Sequence, residues 1–160
     1  MNIRKAEPQD IEDLVKHGLS LLKQHSELDP YFTPSDTADK IYQKFFDGCL
    51  HSEDKLLLVA DNKGKVVAYA AAEIQARSPV FKIRENGYIN DIFVEKEFRK
   101  LGIARKFLKE FKEWFKSKNI DYVELSVLAN NQIAQKTWGK FGFNSYKNKQ
   151  RVEMGAFNIT

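Results

Sequence analysis

A chain of 160 residues with 42% apolar and 30% charged residues suits one soluble domain with a sizeable core. No apolar run nears membrane-span length and no signal core opens the chain, so a cytoplasmic protein is expected. The net charge of +4 would suit a nucleic-acid binder, but lysines and glutamates alternate along helical faces such as Lys106 to Lys118 and no nucleic-acid-binding motif appears; the lone Cys49 cannot form an internal disulfide, and His17, His25 and His51 lack metal-ligand spacing, so no metal is expected.

Residues 2–6 read as a first strand. Pro8 suits the first position of a helix with Asp10 in its first turn, and Ile11, Leu14, Val15, Leu19 and Leu22 give that helix an apolar face to about Ser26. The two prolines of Leu28 to Pro34 mark a loop, after which Ser35 or Asp36 caps a second helix with Ile41, Phe45 and Phe46 inward. Leu56 to Ala60 is a buried strand, Asp61-Asn62-Lys63-Gly64 a hairpin turn, and Lys65 to Gln75 the returning strand. Arg77-Ser78-Pro79-Val80 breaks it, and an apolar strand follows from Tyr88 to Val94.

Apolar residues at Ile103, Phe107, Leu108, Phe111, Trp114 and Phe115 then show helical spacing, and Asn119 ends that helix in a left-handed conformation. Tyr122 to Leu128 reads as a fifth strand, Asn131 to Phe141 as a short helix, and Phe143 onward as two more strands. No repeat, linker or low-complexity tract interrupts residues 1–160, so a single domain is expected. Between the fourth strand and the long helix lie Arg99, Lys100, Gly102, Arg105 and Lys106. A strand, a glycine turn and a helix N-terminus form an anion site, because the first helical N–H groups have no internal partner and the helix dipole favours negative charge there.

Arg99-Lys100-Leu101-Gly102-Ile103-Ala104 resembles the R/Q-x-x-G-x-G/A signature of the GNAT N-acetyltransferases. Leu125-Ser126-Val127, followed by Asn131-x-x-Ala134-x-x-x-Trp138-x-x-Phe141-Gly142-Phe143, is similar to a second segment of that family. The resemblance implies an α/β fold: a mixed, mostly antiparallel sheet of about seven strands with helices on both faces. It further implies that strands four and five splay, and that the arm of acetyl-coenzyme A fills the gap. Backbone groups of Ile92, Phe93 and Val94 would pair with that arm, and Arg99, Lys100, Leu101, Gly102, Ile103, Ala104 and Arg105 would hold the pyrophosphate. Asn131 and Trp138 would face the arm, although Asn131 also suits an ordinary helix cap.

The implied reaction is acetyl transfer to a primary amine of a small molecule or a lysine side chain. A non-catalytic coenzyme A-binding module of the same fold is the alternative, and homodimers are common among relatives. Tyr31, Phe32, Tyr88 and Tyr146 are candidate acceptor-binding residues. The chain departs from the family at two positions: Asn90 stands where polyamine-acetylating relatives carry a glutamate, and Trp138 where many carry an acidic tyrosine. Asn90 cannot act as a base, and an indole N–H is not a practical proton source. That leaves Asp91 as the candidate base, yet strand alternation sets it on the opposite face from Asn90 unless a bulge intervenes, and a structural role fits it better. Glu73 is a further polar candidate that the sequence does not place.

Overall fold

Two alternating apolar runs joined at a turn dictate the centre of the fold. In the computed structural model, which describes residues 1–159, strand β2 (Lys55–Asn62) and strand β3 (Lys65–Ala76) form an antiparallel hairpin. Lys63 and Gly64 both take positive φ, and the Asp61 carboxylate accepts from the Gly64 N–H at 2.7 Å. β1 (Asn2–Lys5) flanks β2, and β4 (Glu85–Val94) flanks β3, both antiparallel. The short β5 (Val123–Glu124) adds to β4 in parallel, giving the order β1-β2-β3-β4-β5.

The chain divides into two compact units, Met1–Ser126 and the residues from Val127 onward. In the first, helices α1 (Ile11–Leu28) and α2 (Ala38–Leu50) pack together on one face of the sheet. Their core joins Leu14, Phe46 and Cys49 to Leu57, Val59, Tyr69, Ala71 and Phe93. Alternation turns the intervening residues, including Leu56, Leu58, Ala68, Ala70 and Ala72, to the other face, where α3 (Ile103–Ser117) buries Ile103, Phe107, Phe111 and Phe115. Gly87 belongs to that face: a Cβ there would lie 2.5 Å from the Phe115 ring. Asn119 takes φ 57 just beyond α3, as its sequence position predicts.

Among the described residues the sheet has five strands, not about seven. β5 is two residues long although Tyr122 to Leu128 has strand composition, and among the described residues after Phe143 the regular structure is a helical turn at Met154–Ala156. A strand needs a paired edge as well as suitable residues, and Asn144, Lys147, Asn148 and Lys149 are weak strand formers. The second helix also begins later than its expected caps: Ala38 follows Thr37, and Ser35 contributes its carbonyl to the Ala38 N–H. In the second unit, α4 (Gln132–Gly139) is closed at its start by the Asn131 side chain, which accepts from the Ala134 N–H at 3.0 Å.

Candidate active site

β4 carries the site, and one irregularity decides what it presents. Ala71 faces Asp91 and Ala72 faces Ile89, so Asn90 is an extra residue without a partner on β3. This bulge breaks the alternation of side chains. Asp91 and Phe93 lie on the α1/α2 face, where Tyr69 donates to the Asp91 carboxylate at 3.1 Å and Phe93 stacks on His17 at 4.9 Å. Asn90 joins them, because its Nδ2 donates at 3.2 Å to Glu73, a β3 residue in alternation with Tyr69 and Ala71. The bulge therefore brings onto one face two side chains that regular alternation would set on opposite faces.

The surroundings of Asp91 set its charge. Burial raises its pKa above the ordinary carboxylate value, opposed by the Tyr69 hydrogen bond and by nearby His25. Burial likewise pushes the Tyr69 hydroxyl well up, and the Asp91 charge adds to that shift. Tyr42 of α2 is raised by burial and then by Asp91, and the buried Cys49 thiol is pushed up to about 11, chiefly by burial. Burial thus disfavours the ionised form of each of these groups, the Asp91 carboxyl, the two phenols and the thiol alike. Next to them, Glu73 accepts from Gln75 at 2.8 Å and faces Lys55 at 3.7 Å.

The far end of β4 has a different character. β5 pairs with β4 only at Gly87 and Tyr88, so among the described residues no strand covers that edge from Ile89 to Val94. The Glu95 N–H donates back to Val67 on β3, and by alternation the backbone groups of Val94 and Ile92 point to the open edge while those of Phe93 point to β3. Arg99 Nε donates to the Val94 carbonyl at 3.0 Å, folding the loop back onto the strand. Lys100 and Gly102 take φ of 63 and 78, the left-handed region, and Gly102 leads directly into α3. No side chain among the described residues caps that helix start, in contrast to α4, and a Cβ at Gly102 would meet open space. Leu101 is exposed, Ile103 is buried in the α3 face, and Ala104 and Arg105 complete the first turn. An open cleft of about 820 Å³ lies beside this end of β4, lined by His17 and Ser20 with Phe93, Lys96 and Arg99. The sequence-predicted loop thus brings cationic side chains to a helix start that no described side chain caps, an arrangement suited to a diphosphate.

Tyr88 marks where the strands part, and its hydroxyl donates to Ser126 Oγ at 2.9 Å. Tyr31 and Phe32 form an edge-to-face pair in the loop between α1 and α2, with Tyr31 exposed. In the second unit, Trp138 packs edge-on against Phe143 at 5.3 Å, and Tyr146 is exposed. Sequence reasoning missed Tyr69, Tyr42 and His25. For Tyr69 a signal existed: it is the one hydroxyl-bearing residue in the buried run Val66 to Ala72, and such a hydroxyl needs a partner.

A mixed sheet whose fourth strand parts from the fifth and runs into a left-handed glycine at a helix start defines an acetyltransferase-like site. The model of the Acetyltransferase (GNAT) family matches residues 21–143, and the chain belongs to that family. A protein of Archaeoglobus fulgidus described as an uncharacterized N-acetyltransferase is 26% identical over 136 residues, 85% of this chain and 88% of that one. A crystal structure of a mutant Bacillus halodurans protein superimposes with a TM-score of 0.85 at 23% identity, covering 96% of this chain and 99% of that one. A predicted acetyltransferase of Clostridium acetobutylicum, solved with acetyl-CoA, gives a TM-score of 0.74 at 22% identity over 99% of both chains.

Proposed function

We propose that this protein transfers an acetyl group from acetyl-coenzyme A to a primary amine. The observation that carries the reading is the uncovered edge of β4 running into the Gly102 turn and the uncapped start of α3. Ile92 and Val94 offer backbone groups to the amides of the cofactor arm, since exposed ladder groups require partners. Residues 99–105 hold the diphosphate through N–H groups, the helix dipole and cationic side chains. The bound cofactor supplies an activated acetyl thioester.

The acceptor amine has an ordinary pKa near about 10.4 and must shed a proton before it attacks. Asp91 is poorly placed to take that proton, because it is buried and one of its oxygens already accepts from Tyr69. Its role is to hold Tyr69 and the floor of the α1/α2 face, and water carries the proton away. Positioning of the amine beside the thioester supplies much of the acceleration.

Two measurements test this. Acetyl-coenzyme A raises the melting temperature, with about 2.7 kcal/mol of stabilisation at a hundredfold excess over its dissociation constant. Thiol is released in the presence of a suitable amine. A melting shift without thiol release across polyamines, aminoglycosides, amino acids and peptides would leave a coenzyme A-binding module instead. Gly102→Val removes the shift while the protein stays folded: the added Cβ meets no protein atom within 4 Å, so the cost to the fold is the strain of a side chain at φ 78 in one surface turn, yet the side chain stands where the diphosphate lies. A full shift in folded Gly102→Val protein would remove the loop from the site.

A further inference from the structure

We propose that Glu73 anchors a second, protonated amine of the acceptor, so that the preferred acceptor is an alkyl diamine or longer polyamine. The inference rests on acetyl transfer to an amine as the reaction. It starts from how the two oxygens of Glu73 are used. Oε1 accepts from Gln75 Nε2 at 2.8 Å and Asn90 Nδ2 at 3.2 Å, two neutral amides that fix the carboxylate in place. Oε2 faces a primary ammonium, Lys55 Nζ, at 3.7 Å.

That ammonium also sits over the Phe45 ring, 5.6 Å from its centroid. The protein's own lysine therefore displays the ligand chemistry of this spot: an alkyl ammonium between a carboxylate and an aromatic face. Lys55 is held loosely, since a charge-assisted hydrogen bond is typically about 2.7–2.9 Å. Both side chains keep contact with solvent, 32% for Lys55 and 19% for Glu73, so an incoming ammonium can take the lysine's place. Asn90 ties the carboxylate to β4 two residues beyond Tyr88, the last residue paired with β5. Glu73 thus stands at the parting of the strands, where the acceptor must arrive.

An amine held on a carboxylate is kept protonated, and a protonated amine has no lone pair with which to attack. The anchored nitrogen is consequently not the one acetylated, and the acceptor needs another. Asp91 does not compete for the anchoring role, because it is buried and bonded to Tyr69.

The experiment is calorimetric binding of diaminobutane and of butylamine to the full chain in the presence of coenzyme A, for the wild type, Glu73→Gln and Lys55→Gln. We expect the diamine to bind the wild type at least about tenfold more tightly than the monoamine, the size of a hydrogen bond to a charged group. Glu73→Gln abolishes that preference while retaining the melting shift with acetyl-coenzyme A. Lys55→Gln strengthens diamine binding by about threefold, because the internal competitor is gone. Equal binding of the two amines to the wild type overturns the proposal, as does a preserved preference in Glu73→Gln. Should Glu73→Gln fail to fold, unchanged or weaker diamine binding by Lys55→Gln overturns it on its own. The expected binding pattern without acetylated product would sink the acetyl-transfer reading and leave the anchor. Acetylation of butylamine as readily as diaminobutane would do the reverse.

Discussion

The two faces of the sheet are built from the same strands and do different work. The face under α3 is apolar, with leucine, alanine and isoleucine from the sheet and Ala68, Ala70 and Ala72 making room for the rings of α3. The face under α1 and α2 begins the same way, with Leu57 and Val59, and then turns polar toward β4, where Tyr69 is hydrogen-bonded to Asp91 and Asn90 to Glu73. Buried polar groups reduce stability unless they are satisfied, whereas apolar contacts need only good packing. The α3 face therefore supplies the surplus of stability that lets its opposite carry groups suited to chemistry.

Substitutions on each face can break this contrast. Phe111→Ala opens a cavity in the α3 face and lowers stability by about 3–5 kcal/mol, measured by denaturant unfolding, with turnover per folded molecule unchanged. A large loss of turnover without loss of stability would show that the α3 face is part of the site. Tyr69→Phe comes next, at about 2–3 kcal/mol, because it strips Asp91 of its hydrogen-bond donor inside the protein. A neutral effect on melting temperature would mean that water already serves Asp91.

Gly87→Ala tests how tightly the apolar face is closed. The new methyl would lie 2.5 Å from the buried Phe115 ring, which must shift, for about 1–2 kcal/mol of lost stability. An unchanged melting temperature would mean that the α3 face has slack. The smallest effect at neutral pH is that of Asp91→Asn, whose amide oxygen still accepts from Tyr69. Its signature is in the pH dependence. The folded-state pKa of Asp91 lies above its ordinary value of 3.8, so between the two the folded state holds a proton that the unfolded state has lost. Wild-type stability therefore falls as pH rises through that window, and the Asp91→Asn variant loses that part of the slope. Parallel stability profiles for the two proteins would show that Asp91 is not strained by burial.

Much of this contrast was legible in the sequence, for a local reason. Helix periodicity fixed α3, strand composition fixed β2 to β4, and the Asp61 to Gly64 turn and the left-handed Asn119 followed from side chains acting on their own backbone. The Gly102 turn was legible because few residues other than glycine suit that conformation. What stayed hidden depends on distant partners. Tyr122 to Leu128 has strand composition, but only Val123 and Glu124 find an edge to pair with. The bulge at Asn90 is a mismatch between two strands, so no inspection of β4 alone reveals that Asn90 and Asp91 share a face. Tyr42 and His25 reach Asp91 from helices far along the chain, and sequence spacing carries no record of that approach.

The bulge has a consequence for how such a protein can change. On either side of it the pairing is regular: Ala71 meets Asp91, and Ala72 meets Ile89. A chain lacking residue 90 would keep both pairings, leave Ile89 and Ile92 on the α3 face, and leave Tyr88, Asp91 and Phe93 on the other. Position 90 is thus an added slot, a place where one side chain is inserted into the working face without re-threading any neighbour. Its occupant can be exchanged for another acid, amide or hydroxyl while the sheet beneath is undisturbed.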